Sequence, residues 1–327
     1  MNKIAIVGLG YWGPNLVRNF CSFLPREDVV VCDFDKDKVN EMYVRHRVES
    51  VESYTKILDD SSIDTVVLAT PPVTHFVMTK HALECGKHVL VEKPLALSSK
   101  EAISLNGLAF SRDLILMCDH TYLYNSAVIK LKELVDSDKF GDIKYINSSR
   151  VNLGKFNKSI NVVWDLATHD ISIINYLVGR IPKLVRATGQ KGAQDFQIDN
   201  AYINLEYDNG LIANIHVSWL FPFKVRRMVV GGAKQTILWD DMLKDKKLQR
   251  YNQIFTEKSG NIDCSSSDAE IIPFKEVEAL QSMAKEFVQS ITEKRESHTS
   301  GEKSYDIIRI LEAAQISLVN NGLPILI

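Results

Sequence analysis

Ile4-Ala5-Ile6-Val7-Gly8-Leu9-Gly10-Tyr11-Trp12-Gly13 decides the fold of this chain. An apolar run stops at a Gly-x-Gly-x-x-Gly turn, and Pro14 follows, suited to the first turn of a helix where its missing N–H is not needed. The glycine pattern alone recurs by chance. It gains force from Asp33, twenty residues beyond the third glycine, just after a second apolar run, Val29-Val30-Val31-Cys32. Strand, glycine turn, helix and delayed acid together predict a dinucleotide site. Gly8 permits the tight turn, Gly10 lets a pyrophosphate approach the backbone, and Gly13 lets the helix pack on the strand. The helix N-terminus offers free N–H groups and a partial positive charge to phosphates. Asp33 can bond a ribose 2′-hydroxyl and would repel a 2′-phosphate, which favours NAD; Lys36 and Lys38 nearby soften that repulsion.

The same texture extends outward. Apolar runs at 65–69, 89–91 and 114–118 alternate with helical patterns at 13–23, 36–46, 74–85 and 98–110. Strands alternating with helices predict a doubly wound parallel sheet over residues 1–121. Special residues follow the later runs: Thr70-Pro71-Pro72, then Glu92-Lys93-Pro94, then Asp119-His120. In such sheets ligands bind beyond the carboxyl ends of the strands, so these residues converge on one crevice.

After about residue 121 the pattern changes. Helices are expected at 125–137 and 164–178, the latter closed by Gly179, with a strand at 143–151 between them. Short alternating segments follow at 183–188, 201–207, 211–220, 226–231 and 236–240, and Asp208-Asn209-Gly210 is a hairpin signal. Residues 256–268 read as a polar loop, and helices at about 276–292 and 302–320 close the chain. Residues 122–327 are therefore expected to form an α+β domain with an open, mostly antiparallel sheet.

Composition sets outer limits. With 327 residues, 45% of them hydrophobic, the chain supports two well-packed domains. A formal net charge of −2 gives no field to draw in nucleic acid or an anionic membrane. No apolar run reaches the roughly 18 residues of a membrane span, and no signal peptide precedes the first strand, so a cytoplasmic protein is expected. The five cysteines, Cys21, Cys32, Cys85, Cys118 and Cys264, show neither a disulfide framework nor a zinc spacing, and no metal is expected.

Two groups carry candidate chemistry. Lys93 follows a strand end and faces the crevice, although a plain surface lysine would read the same way. Asp165 and His169 stand four apart and share a helix face. A carboxylate beside an imidazole suits proton transfer; a helix-start cap and a buried histidine would share that spacing. His75 either lines a cofactor pocket or caps its helix. His120 either borders a substrate space or makes a structural bond. Arg150, Asn152, Lys155 and Asn161 precede the Asp165 helix as substrate contacts or as a solvated loop.

Taken in order, Gly8–Gly13, Asp33, Ala69-Thr70-Pro71-Pro72 with His75, Glu92-Lys93-Pro94, Asp165-x-x-x-His169, Ser218-Trp219 and Leu311-Glu312-Ala313-Ala314 resemble the glucose–fructose oxidoreductase/inositol dehydrogenase family (Gfo/Idh/MocA). The resemblance spans nearly the whole chain. Tyr11-Trp12-Gly13-Pro14-Asn15 and Trp164-Asp165-Leu166-Ala167 are similar to a nucleotide-sugar and surface-polysaccharide dehydrogenase branch, with Thr168 where that branch has proline. It implies a Rossmann domain followed by an α+β domain whose sheet mediates oligomerisation, here a dimer or tetramer. It implies Lys93, Asp165 and His169 as catalytic residues. A cofactor site follows from Gly8, Gly10, Tyr11, Trp12, Gly13, Asp33, Thr70, Pro71, Pro72, His75, Glu92 and Lys93. The reaction implied is NAD(H)-dependent hydride transfer at a secondary alcohol of a sugar, nucleotide-linked or otherwise anionic. A free polyol or cyclitol dehydrogenase and a keto-sugar reductase use the same residues, and non-catalytic NAD-binding regulators share the fold.

Overall fold

The five apolar runs of the first third each form a parallel strand, and a two-residue strand, Glu49–Ser50, adds a sixth at the edge. The computed structural model describes residues 2–154, 156, 159–193, 197–258 and 261–327. The elements are β1 (Lys3–Val7), α1 (Gly13–Phe20), β2 (Val29–Cys32), α2 (Lys36–His46), β3 (Glu49–Ser50), α3 (Tyr54–Asp59), β4 (Ile63–Leu68), α4 (Pro72–Glu84), β5 (His88–Glu92), α5 (Ser99–Ser111) and β6 (Leu116–Asp119). The sheet order is β3-β2-β1-β4-β5-β6, all parallel. The order reverses between β1 and β4, the switch point where such sheets take nucleotides. Strand residues Ile4–Val7, Val29–Cys32 and Val66–Leu68 are buried, as a sheet covered on both faces requires.

The remaining elements are α6 (Ser126–Val135), β7 (Ile143–Leu153), a π-turn at Val163–Ala167, α7 (Thr168–Val178), β8 (Leu184–Gln190), β9 (Asn200–Glu206), β10 (Ile212–Ser218), β11 (Leu220–Gly232), β12 (Gln235–Asp240), β13 (Leu248–Lys258), β14 (Asn261–Ser266), β15 (Glu270–Ile271), α8 (Ala279–Glu293), α9 (Gly301–Val319) and β16 (Ile325–Leu326). Their sheet runs β14-β13-β12-β11-β7-β10-β9-β8-β16, with β15 on β13. Every pairing is antiparallel except β7 with β10. The Asp208-Asn209-Gly210 hairpin forms as expected, with Gly210 at φ 80°.

Chain contacts divide the molecule into two compact units. One holds Met1–Tyr124 with Val277–Ile308, the other Asn125–Glu276 with Arg309–Ile327. The division falls inside α9. Residues 297–300 join the first unit at the open edge of its sheet, where Ser300 bridges Met117 and the Cys118 N–H donates to the Thr299 carbonyl at 3.0 Å.

Two expectations need correction. Most of 256–268 is strand and not loop: Gln253–Lys258 pairs with Asn261–Ser266 at the end of the larger sheet. The helix expected from 164 begins instead as the π-turn, and regular α geometry starts only at Thr168.

In the second sheet the alternation over 211–220 holds except at Ser218, which falls on the outer side of the pattern yet is buried. Leu211, Ala213, Ile215, Val217 and Trp219 are buried, while Ile212 and Asn214 are exposed. On the outer face Asn214 bonds Asn204 at 2.9 Å and Asn147 at 3.1 Å, and Tyr202 stacks on His216 with ring centres 4.2 Å apart.

Candidate active site

In the first unit the candidate residues gather at the carboxyl ends of β1, β2, β4 and β5. Gly8 takes φ 92° and turns so tightly that a Cβ there would lie 2.7 Å from the Ala69 carbonyl oxygen. A Cβ on Gly13 would lie 2.1 Å from the Gly8 carbonyl oxygen, so only glycine lets α1 start so close to the strand. Above Gly10 there is open space, with no atom within 4 Å of a built Cβ. No side chain caps α1. Pro14 has no N–H and the Asn15 and Leu16 N–H groups donate to the Trp12 carbonyl at 2.9 and 3.1 Å, so it is the open glycine backbone from Gly10 to Gly13 that fits a dinucleotide pyrophosphate. Tyr11 and Trp12 meet edge to face at 5.4 Å; Tyr11 is exposed.

Asp33 is tied to the glycine turn. Its Oδ2 accepts from the Leu9 N–H at 2.5 Å and its Oδ1 from the Asp35 N–H at 2.9 Å. These bonds fix the carboxylate at the end of β2, where a ribose would be read. Lys38 pairs with Asp35 at 3.4 Å.

His75 is fully buried on α4. Its Nδ1 lies 2.7 Å from the Pro94 carbonyl oxygen and its Nε2 2.8 Å from that of Thr70. Both ring nitrogens therefore face backbone carbonyls, and the side chain fastens the Thr70-Pro71-Pro72 and Glu92-Lys93-Pro94 loops together. It is neither a helix cap nor a direct cofactor contact. Burial pulls its pKa below the ordinary histidine value, against the two carbonyls, and the Lys93 charge lowers it further. The Lys93–Pro94 peptide is cis.

Behind Lys93 lies a buried polar cluster. Glu92 of β5 is the direct cross-strand neighbour of Asp119 of β6. The Thr121 hydroxyl donates to Asp119 Oδ1. His120 is buried with its Nε2 3.2 Å from the Ser304 hydroxyl, and burial, followed by the Lys93 charge, pushes its pKa down to about 3. It takes the structural alternative.

The second unit carries Asp165 and His169. Asn161 starts the π-turn: its Oδ1 accepts from the N–H groups of Val163 and Trp164 at 3.1 and 3.3 Å, and its Nδ2 donates to Gln315 Oε1 at 2.6 Å. Asn161 is thus a cap, one of the four pre-helix candidates accounted for. The indole Nε1–H of Trp219, itself buried, donates to Asp165 Oδ2 at 3.1 Å. Phe156 packs edge to face on that indole at 5.5 Å. Turns of this kind recur at functional sites because they re-aim a side chain.

Arg150 is neither a substrate contact nor solvated. It points inward from β7 and pairs with Asp170, Nε to Oδ2 at 2.7 Å, with the Ser148 hydroxyl on Oδ1 at 2.6 Å; Arg150 is 3% and Asp170 1% exposed. Asp170 follows His169 directly, so this buried pair anchors the first turn of α7 to the sheet. Lys155 lies outside the described residues. Among the described residues no group of three His, Cys, Asp or Glu side chains could hold a metal ion, and no helix is long and apolar enough to cross a membrane.

Sequence reading missed three partners: Trp219 for Asp165, Asp170 for Arg150, and Asp119 for Glu92. Only the cross-strand register could have signalled the last.

A parallel six-stranded sheet with an uncapped glycine turn at its switch point, joined to an antiparallel-sheet unit, defines a dinucleotide-binding oxidoreductase. Two family profiles match the chain. The oxidoreductase family's NAD-binding Rossmann fold covers residues 2–120, and its C-terminal alpha/beta domain covers residues 132–325. The protein belongs to the Gfo/Idh/MocA oxidoreductase family, and its cofactor is NAD. It is 28% identical over 240 residues to the UDP-N-acetylglucosamine 3-dehydrogenase of Acidithiobacillus ferrooxidans, covering 73% of this chain and 72% of the relative. It is 27% identical over 243 residues to the scyllo-inositol 2-dehydrogenase (NAD(+)) of Bacillus subtilis strain 168, covering 70% and 71%. A solved structure of the A. ferrooxidans 3-dehydrogenase shares the fold with a TM-score of 0.83 at 23% identity, over 97% of each chain.

Proposed function

We propose that this protein is an NAD-dependent dehydrogenase of a nucleotide-linked hexose, oxidising a secondary alcohol of the sugar. Residues 1–121 act as the cofactor domain, with Val277–Ile308 packed into the same unit, and the rest of residues 122–327 as the substrate and oligomerisation domain. His169, oriented by Asp165, takes the hydroxyl proton, and Lys93 donates a hydrogen bond to the developing alkoxide. Gly8, Gly10 and Gly13 would hold the pyrophosphate of NAD and Asp33 its ribose, and the bound nicotinamide would supply the hydride acceptor. Tyr11, Trp12, Thr70, Pro71, Pro72 and Glu92 border it, and His75 holds two of these loops.

One observation carries the reading. The oxidoreductase family membership is joined to retention of all three chemical residues, with Asp165 aimed by a buried Trp219 donor. A regulatory NAD-binding protein has no use for so deliberate a carboxylate. The sugar-nucleotide class draws on the relative that acts on UDP-N-acetylglucosamine. Arg150 lends it no support, because that cation is buried against Asp170. We further propose a cytoplasmic homo-oligomer, dimer or tetramer, formed through the outer face of the second sheet. The Asn147–Asn214–Asn204 ladder and the Tyr202–His216 stack there offer a mixed, self-complementary surface. A monomer by light scattering at micromolar concentration would remove that part.

The test is a panel of UDP- and dTDP-sugars, sugar phosphates and free polyols, followed by nicotinamide absorbance. Oxidation of a sugar nucleotide is expected. Efficient oxidation of a free cyclitol, with silence from every sugar nucleotide, would overturn the substrate class.

A further inference from the structure

Two carboxyl groups face each other at the ends of β5 and β6. Glu92 and Asp119 are direct partners in the parallel ladder, so their side chains leave the same side of the sheet at neighbouring positions. Asp119 is 2% exposed. Its Oδ1 is taken by the Thr121 hydroxyl. Its Oδ2 is buried and meets no N–H or hydroxyl donor among the described residues. An ionised Glu92 could not serve it, since a carboxylate only accepts. A protonated Glu92 could.

We propose that Glu92 and Asp119 hold one proton between them at neutral pH, Glu92 donating to Asp119, and that this pair is the positioning device of Lys93. The proposal rests on the reading of Lys93 as the alkoxide donor. The pair presents the ammonium group with one buried counter-charge, on Asp119, and one neutral acid. Two ionised carboxylates this close would repel each other inside the protein. Burial, and after it the Asp119 charge, drives the Glu92 carboxyl well above the usual carboxylate range. Asp119 is raised less, because Thr121 and Glu92 hold its ionised form.

Among the described residues, Lys93 is the cation whose charge reaches both carboxyls. Cys118 is buried and driven well above its ordinary value by burial, and the Ser304 hydroxyl of α9 donates to the Ser300 carbonyl at 3.0 Å. His120, beside Ser304, is held neutral by burial, and His75 of α4 is lowered by the same cause. Lys93 contributes to the electrostatics of Glu92, Asp119, His75 and His120 alike. Glu92 and Asp119 thereby become residues that act through Lys93.

Infrared spectroscopy and lysine NMR test this without turnover. The full-length protein at pH 7 should show one protonated-carboxyl C=O band, absent in Glu92→Gln. In Asp119→Asn that band should titrate at least about one pH unit lower, since the opposing charge is gone. In [15N]lysine-labelled protein, the ammonium resonance lost in Lys93→Ala identifies Lys93. Its solvent exchange should quicken at least tenfold in Asp119→Asn, measured on protein whose melting temperature confirms folding. No carboxyl band at pH 7, a band that survives Glu92→Gln, or an unchanged Lys93 signal in Asp119→Asn would each overturn the proposal. Wild-type turnover in Lys93→Ala would instead sink the catalytic reading while leaving the infrared result standing.

Discussion

Replacing Asp170 by asparagine isolates the anchor beneath the proposed catalytic helix. Asp170 receives Arg150 Nε at 2.7 Å, Arg150 Nη2 at 3.4 Å and the Ser148 hydroxyl at 2.6 Å, and both charged residues are almost wholly buried. Breaking a buried pair by neutralising one partner costs about 3–5 kcal/mol, because the remaining charge stays buried without its counter-ion. Asparagine keeps one acceptor of nearly the same shape, which places the cost near the lower end, about 3 kcal/mol. A unit of this size loses roughly 2–4 °C of Tm per kcal/mol, so a fall of about 6–12 °C is expected. Replacing both partners, as Arg150→Met with Asp170→Leu, should cost less than Asp170→Asn alone, since no charge is left buried. Scanning calorimetry of the three proteins, with amide hydrogen exchange over Thr168–Ser172, reads both effects. A shift under about 2 °C for Asp170→Asn, or a double variant worse than the single, would refute the reasoning.

Three further outcomes follow from the same geometry. Trp219→Phe removes the donor to Asp165 and leaves a cavity in the core, so Tm falls; at about 1.4 kcal/mol, near the low end for a bond to a charged group, turnover of the still-folded protein should also fall about tenfold. His120, with a folded pKa of about 3 against an ordinary 6.5, binds its proton more readily unfolded, so stability falls as pH drops from about 6.5 toward 3. That amounts to about 2 kcal/mol at pH 5, and His120→Asn should lose measurably less Tm between pH 7 and 5; an identical loss would refute the assignment. NAD should bind more tightly than NADP, because the Asp33 carboxylate is fixed by the Leu9 and Asp35 N–H groups; calorimetric titration of both cofactors decides it, and tighter NADP binding would sink the claim.

Local signals made the first sheet readable. Except for the two-residue strand Glu49–Ser50, each strand is built on a continuous apolar run, and the residues that turn it into a site follow within a few positions. The alternation at 211–220 was equally plain, because one face meets the core and the other does not. Non-local pairing was hidden. Arg150 read as a loop cation, since its partner Asp170 lies 20 residues away on another element. Glu92 and Asp119 meet only once the β5–β6 register is fixed. Trp219 was visible as a strand residue but not as the donor that aims Asp165. The β13–β14 pair carries no apolar alternation, so nothing marked it as strand. The π-turn replaces a regular helix start without any breaker residue, because Asn161 caps it two residues ahead.

The central claim is that this chain moves a hydride from a sugar carbon to NAD, with Lys93 stabilising the alkoxide. Label transfer tests it most directly. The sugar nucleotide that responds in the panel is prepared with deuterium on its carbinol carbon, and the nicotinamide product is examined by mass spectrometry. Deuterium is expected in the reduced nicotinamide at one atom per turnover, with the rate reduced about a hundredfold or more in a folded Lys93→Ala protein. NAD binding with no label transferred from any sugar, or undiminished transfer by Lys93→Ala, would contradict it.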